Sequence, residues 1–112
     1  MTYNAWDIVA VPFPFTDRSI QKKRPALVLS QEEFNQQGHT LLAMITSTTL
    51  RWESDSPISE PASAGLSTPC VVRLKLFTLD NRLILRRLGA LSRADQEHVA
   101  AALRRLFPPS IV

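Results

Sequence analysis

Val71-Val72-Arg73-Leu74-Lys75-Leu76-Phe77-Thr78-Leu79 is the stretch whose period decides the architecture. Val72, Leu74 and Leu76 share one face and Arg73 and Lys75 the other, the alternation of a half-buried β-strand. Downstream, Asp80-Asn81-Arg82 is expected to turn the chain so that Leu83 to Leu88 returns as a paired strand of a hairpin. Ser92 and Asp95 then have the spacing that caps a final helix, in which Val99, Leu103, Leu106 and Phe107 recur at helical intervals. Arg104 and Arg105 face the negative end of its dipole, and Pro108-Pro109 stops it.

Upstream, residues 46–69 are rich in Ser, Thr, Pro and acid, and read as an excursion or short hairpin without long strands. Before it, Leu41 to Ile45 and Ala26 to Leu29 are apolar runs too short for helices. Between those two runs, Ser30 and Glu33 form a capping-box pattern for a short helix to about Gln37, with Gly38 placed to end it. Phe13 to Lys23 reads as a polar, basic loop, and Ile8-Val9-Ala10-Val11 is a first strand closed by Pro12 and Pro14. The fold class is therefore mainly β with α (α+β): a small twisted antiparallel sheet or barrel of five or six short strands, with a carboxy-terminal helix packed on it.

The 112 residues, 45% hydrophobic and 21% charged, fit one domain spanning 1–112 and exclude wholesale disorder or low complexity. No apolar run approaches the roughly 18 residues that span a bilayer, and Met1-Thr2-Tyr3-Asn4 lacks a secretory signal, so a cytoplasmic location is expected. The single cysteine, Cys70, has no intrachain partner for a disulfide. The net charge of +3 is uneven: residues 1–30 carry +2, residues 31–69 carry −4 and residues 70–112 carry +5. Basic ends brought together by folding would make a cationic face that attracts phosphate; separated, they would be ordinary solvated arginines.

Familiar catalytic machinery is missing. Three scattered glycines make no phosphate loop, no His, Cys or acid cluster has metal-ligand spacing, and His39 and His98 read as surface residues. No cofactor or metal is expected. What remains is arginine, hydroxyls and at most one carboxylate, equipment suited to stabilising a phosphoryl transition state electrostatically.

Three segments, Asp7-Ile8-Val9-Ala10-Val11-Pro12-Phe13-Pro14-Phe15-Thr16-Asp17, Lys23-Arg24-Pro25-Ala26-Leu27-Val28-Leu29-Ser30 and Val71 to Asp80, together resemble the PemK/MazF toxins. Ile45-Thr46-Ser47 stands in the expected place between the second and third, and the resemblance runs from about residue 6 to residue 107. It implies an SH3-like barrel of the MazF/CcdB type, a homodimer, and the toxin of a toxin-antitoxin pair. It also implies a metal-independent endoribonuclease of single-stranded RNA, with an antitoxin whose flexible tail lies across the RNA groove. The similarly folded CcdB-type toxins bind DNA gyrase and cut nothing, so fold alone leaves that reading open. A degenerate member that binds RNA without cutting it is a further alternative.

Carried onto this sequence, the resemblance makes Arg24 and Thr46 the catalytic pair, with Ser47 assisting. Ser47, Lys22, Lys23, Arg73, Lys75 and Asp17 are expected to contact RNA. On chemistry alone, Lys22-Lys23-Arg24 reads first as a solvated basic run and Thr46 as an ordinary strand residue, and it is the resemblance that reverses the order. Phe13, Phe15 and Trp52 could stack on bases or fill core. Two departures leave the general base unassigned: the first loop offers only Asp17 as a titratable acid, and Leu74-Lys75-Leu76 replaces an aspartate found in some relatives. Trp6 stands where relatives commonly carry Gly, a change expected to act on packing.

Overall fold

The computed structural model describes residues 2–12 and 23–111. Strands β1 (Asp7–Pro12), β2 (Lys23–Val28), β3 (His39–Thr46), β4 (Ser56–Pro57), β5 (Val71–Asp80) and β6 (Arg86–Ala90) form one antiparallel sheet in the order β4-β5-β3-β2-β1-β6. A one-turn helix α1 (Glu32–Asn35) joins β2 to β3, and α2 (Arg93–Leu106) ends the fold. The mainly β class with a carboxy-terminal helix is as expected. Most of the expected loop Phe13 to Lys23 lies outside the described residues, and its last residue, Lys23, opens β2.

Both faces of the sheet are covered, because alternate residues of the same strands feed two apolar clusters. Ile8, Leu27, Ala43, Ile45 and Val72 pack on one side with Val99 of α2. Val9, Val11, Ala26, Val28, Leu42, Phe77 and Leu79 pack on the other with Tyr3 and Ile84. The basic face expected on β5 is therefore not solvated throughout. Val72 and Leu76 do share a side, but the register against β3 breaks between Ala43 and Met44, which pair with Leu76 and Arg73, leaving Leu74 and Lys75 as a bulge.

The β5–β6 hairpin does not form. Strand β5 pairs with β3 along one edge, β4 covers only Val71 and Val72 on the other, and β6 pairs with β1 instead. The chain instead enters a 3₁₀ turn, Asn81–Leu83, capped by the Asp80 carboxylate accepting from Arg82 N–H, and Leu85 N–H donates to Ala10 C=O. That bond starts β6 along β1, where Asp7 accepts from Arg87 Nε at 2.9 Å. Leu83, expected in the strand, belongs to the turn.

Local signals fare unevenly. Ser92 caps α2 by accepting from Asp95 N–H at 3.3 Å. The Ser30 capping box is not made: Gln31 is the α1 cap without a side-chain bond, while Ser30 Oγ donates to Asn35 Oδ1 and accepts from Leu41 N–H. Ser30 thus ties the start of α1 to β3. Leu106, expected in the core, is 48% exposed at the end of α2. Trp6 adopts φ +75°, a left-handed conformation costly for a bulky side chain and natural for glycine. Its N–H donates to Val28 C=O and its C=O accepts from Leu91 N–H, bonds that hold the conformation.

The 47–70 connection is fastened at two points. Arg73 is buried: its guanidinium donates to both oxygens of Asp55, at 3.1 and 2.8 Å, and to Leu50 C=O at 2.6 Å. The side chains of this pair are only 8% and 3% exposed. Arg73 is consequently an internal brace and not the exposed RNA contact expected from its alternation. The Arg73 guanidinium bonded to Asp55 holds that carboxyl below its ordinary value, against the opposing effect of burial. Further along, Asp95 accepts from Ser59 N–H and Oγ, both at 2.9 Å, which docks the connection on α2.

The connection then presses against β6 at glycines. Gly65 has φ +76°, and a Cβ there would lie 2.1 Å from Leu88 C=O. Gly65→Ala should cost about 2 kcal/mol or more in chemical denaturation, because backbone strain and backbone contact add. Gly38→Ala, with φ +116° and open space, should cost less. Asp55→Ala should cost about 3 kcal/mol at neutral pH by stranding a buried guanidinium. The depressed acid contributes stability above its unfolded pKa and loses it as pH falls through the folded one. The unfolding gap between wild type and Asp55→Ala should thus narrow below about pH 3.8.

Candidate active-site cleft

Pro25 has no N–H to donate, and it stands where pairing between β2 and β3 lapses. The β1–β2 ladder runs on to Pro12 and Lys23, whereas the β2–β3 ladder stops at Ala26 and Met44. Two strand ends therefore separate beside each other. Extending the β2–β3 register past Ala26 and Met44 sets Arg24 opposite Thr46, and strand alternation puts both on the face that carries Ala26 and Met44.

A cleft of about 250 Å³ opens at this point. Arg24 and Pro25 line it from β2, Ile45, Thr46 and Ser47 from the end of β3, and Leu88 from β6. The far wall is Gly65 to Thr68, with Cys70 just before β5. Turn bonds within Pro61 to Leu66 and the close approach of Gly65 to Leu88 hold that wall in place. Arg24 and Ser47 are exposed and Thr46 is half-buried, so the cleft is open to solvent with its polar groups at the mouth. Thr46 Oγ1 accepts from Thr48 N–H at 3.2 Å, which orients the hydroxyl and leaves its proton available to an acceptor in the cleft.

Of the residues the sequence singled out, Arg24, Thr46 and Ser47 thus meet in one place. Lys23 is exposed next to them, at the first position of β2. Lys75 is half-buried in the β5 bulge and does not line the cleft, and Arg73 is enclosed by Asp55. Asp17 and Lys22 lie outside the described residues, as do Phe13 and Phe15. Sequence reasoning missed Ser67 and Thr68, whose hydroxyl-bearing side chains come from a stretch that reads only as a turn-rich excursion. It also missed Cys70 as a lining residue, whose thiol donates to Thr68 C=O at 3.3 Å.

An anion suits such a cleft. A guanidinium and several hydroxyls, set beside the apolar Ile45, Leu66 and Leu88, are the donor types that pair with phosphoryl oxygens. Among the described residues no three His, Cys, Asp or Glu side chains gather as a metal site would require. Nor is any described helix long and apolar enough to cross a membrane.

Comparison with solved structures places this architecture. Mycobacterium tuberculosis toxin MazF-mt6 superposes with a TM-score of 0.72 at 24% identity, over 88% of this chain and 93% of that one. A MazE-MazF structure from Deinococcus radiodurans gives 0.76 at 21% identity, over 95% and 96%. A mycobacterial endoribonuclease in complex with its cognate antitoxin gives 0.72 at 16% identity, over 92% of each chain. At these identities the likeness is one of fold. No curated protein matches the sequence. Residues 4–107 match the sequence model of the PemK-like, MazF-like toxins of type II toxin-antitoxin systems, and the chain belongs to that family.

Proposed function

We propose that this toxin is an endoribonuclease that cuts single-stranded RNA without a metal, using Arg24 and Thr46. The meeting of these two residues in one open cleft carries the reading. In the proposed reaction the ribose 2′-oxygen attacks the neighbouring phosphorus and its proton passes to a base. The bond to the 5′-oxygen breaks, and that oxygen takes a proton as it leaves. The products are a 2′,3′-cyclic phosphate and a 5′-hydroxyl, with no water consumed. Negative charge grows on the phosphoryl oxygens during the attack, and the permanent charge of Arg24 can pair with two of them. Thr46 donates its hydroxyl to the same group, and Ser47 assists.

The base is not among the acids around the cleft, since the described lining residues carry no carboxylate. Asp17 is the candidate from the first loop. Lys22, Lys23 and Lys75 supply charge for the RNA backbone, while Arg73 serves from inside the fold. The working unit is a cytoplasmic homodimer, and a cognate antitoxin silences it by covering the groove. The mycobacterial endoribonuclease solved in complex with its cognate antitoxin supports an antitoxin as partner.

Incubating the protein with long single-stranded RNA in EDTA should give discrete fragments bearing 5′-hydroxyl ends. Arg24→Ala should slow the cutting by roughly 10² to 10³ fold, the scale for losing one charge-stabilising donor. Equal rates would remove Arg24 from the centre, and intact RNA with the wild type would defeat the nuclease reading. RNA affinity should fall with salt, and Lys23→Ala should flatten the log-log slope by about 0.7, one phosphate contact on a single strand.

A further inference from the structure

Trp52 is 46% exposed, yet it is not loosely held. Its backbone N–H donates to Asp55 Oδ2 at 2.8 Å, and its backbone C=O accepts from Asp55 N–H at 3.1 Å. The same carboxylate is gripped by Arg73, whose guanidinium carbon lies 4.8 Å from the centre of an indole ring of Trp52. Backbone turn, buried ion pair and cation–π contact therefore fix one indole against the body of the protein. Such rigidity around an exposed aromatic contributes nothing to packing on its outer side. It does remove the ordering cost that a flat ligand would otherwise meet on stacking there.

Its position relates it to the cleft. Arg73 pairs with Met44, two residues along β3 from Thr46, roughly 7 Å at the usual strand rise. Alternation puts Arg73 on the same face as Met44 and Thr46. The chain bearing Trp52 leaves β3 at Thr46 itself, curled by Thr46 Oγ1 accepting from Thr48 N–H and Thr48 Oγ1 from Leu50 N–H. The indole thus lies outside the lining of the cleft, against Arg73 on the face of the sheet that carries Met44 and Thr46.

We propose that the indole of Trp52 is a stacking platform for an unpaired base of single-stranded RNA, held ready by the buried Arg73–Asp55 pair. The proposal rests on the nuclease reading above for its ligand. Aromatic faces bind bases of any identity and contribute affinity without neutralising phosphate. Arg73, masked from RNA, then acts through Trp52 as a positioning residue.

The test uses a random-sequence 2′-O-methyl RNA oligonucleotide, which cannot be cut. Trp52→Leu keeps apolar cover over Arg73 but has no π face, and it should weaken binding about tenfold while leaving the slope of affinity against salt as in wild type. Trp52→Phe should recover most of the affinity. Tryptophan emission should be quenched by the oligonucleotide in wild type, and the quenching should vanish in Trp52→Phe, where only Trp6 remains. On cleavable RNA the Trp52→Leu loss should fall on KM more than on kcat. Equal affinity of wild type and Trp52→Leu, or quenching that survives in Trp52→Phe, would overturn the platform. The two readings fail separately. Cutting that needs Arg24 but ignores Trp52 sinks the platform alone, while Trp52-dependent binding without any cutting sinks the nuclease and keeps the platform. Absence of any RNA binding by wild type overturns both.

Discussion

The register between β2 and β3 is the constraint on which the rest of the molecule depends. Ala26, Leu27 and Val28 pair with Met44, Ala43 and Leu42, and these six residues feed opposite faces in strict alternation. A slip of one residue would drive the apolar sets of both strands to the wrong sides, so the two buried clusters lock the register from above and below. The same lock determines where Arg24 lies relative to Thr46. The geometry of the candidate centre is thus inherited from core packing a few residues away, and Pro25 ends the ladder just where an opening is needed.

Around this opening the chain uses buried acids as fasteners. Asp55 receives Arg73 and the backbone of Trp52, and Asp95 receives both polar groups of Ser59. These attachments hold the long 47–70 connection, which has little regular structure of its own, against β5 at one end and α2 at the other. Backbone contact does the rest: Gly65 and Gly89 let the connection and β6 approach more closely than any side chain would permit. The wall of the cleft is in this way held against β6.

Charge is distributed along the same lines. The middle of the sequence is acidic and its ends are basic, but the structure spends part of that contrast internally, Asp55 on Arg73 and Asp7 on Arg87. What is presented outward near the cleft is the Lys23-Arg24 step at the start of β2 and the hydroxyls of Thr46 and Ser47.

Period, punctuation and motif order in the sequence determined most of the strands, the carboxy-terminal helix and the near side of the cleft at Arg24, Thr46 and Ser47. These signals are local: alternation follows from strand geometry, Ser92 caps its own helix, and Arg24-Pro25 and Thr46-Ser47 stand at strand ends that prolines and polar runs mark. Which edge β6 would occupy, and whether Arg73 faced solvent or Asp55, was decided only by the tertiary structure. Both depend on partners far apart in the chain, Ala10 for Leu85 and Asp55 for Arg73, and neither a distant strand edge nor a buried counter-charge leaves a signature in the residues adjacent to it. The cleft's far wall was hidden for the same reason. Residues 65–70 acquire their place only when close backbone packing on β6 brings a turn-rich segment back across Arg24.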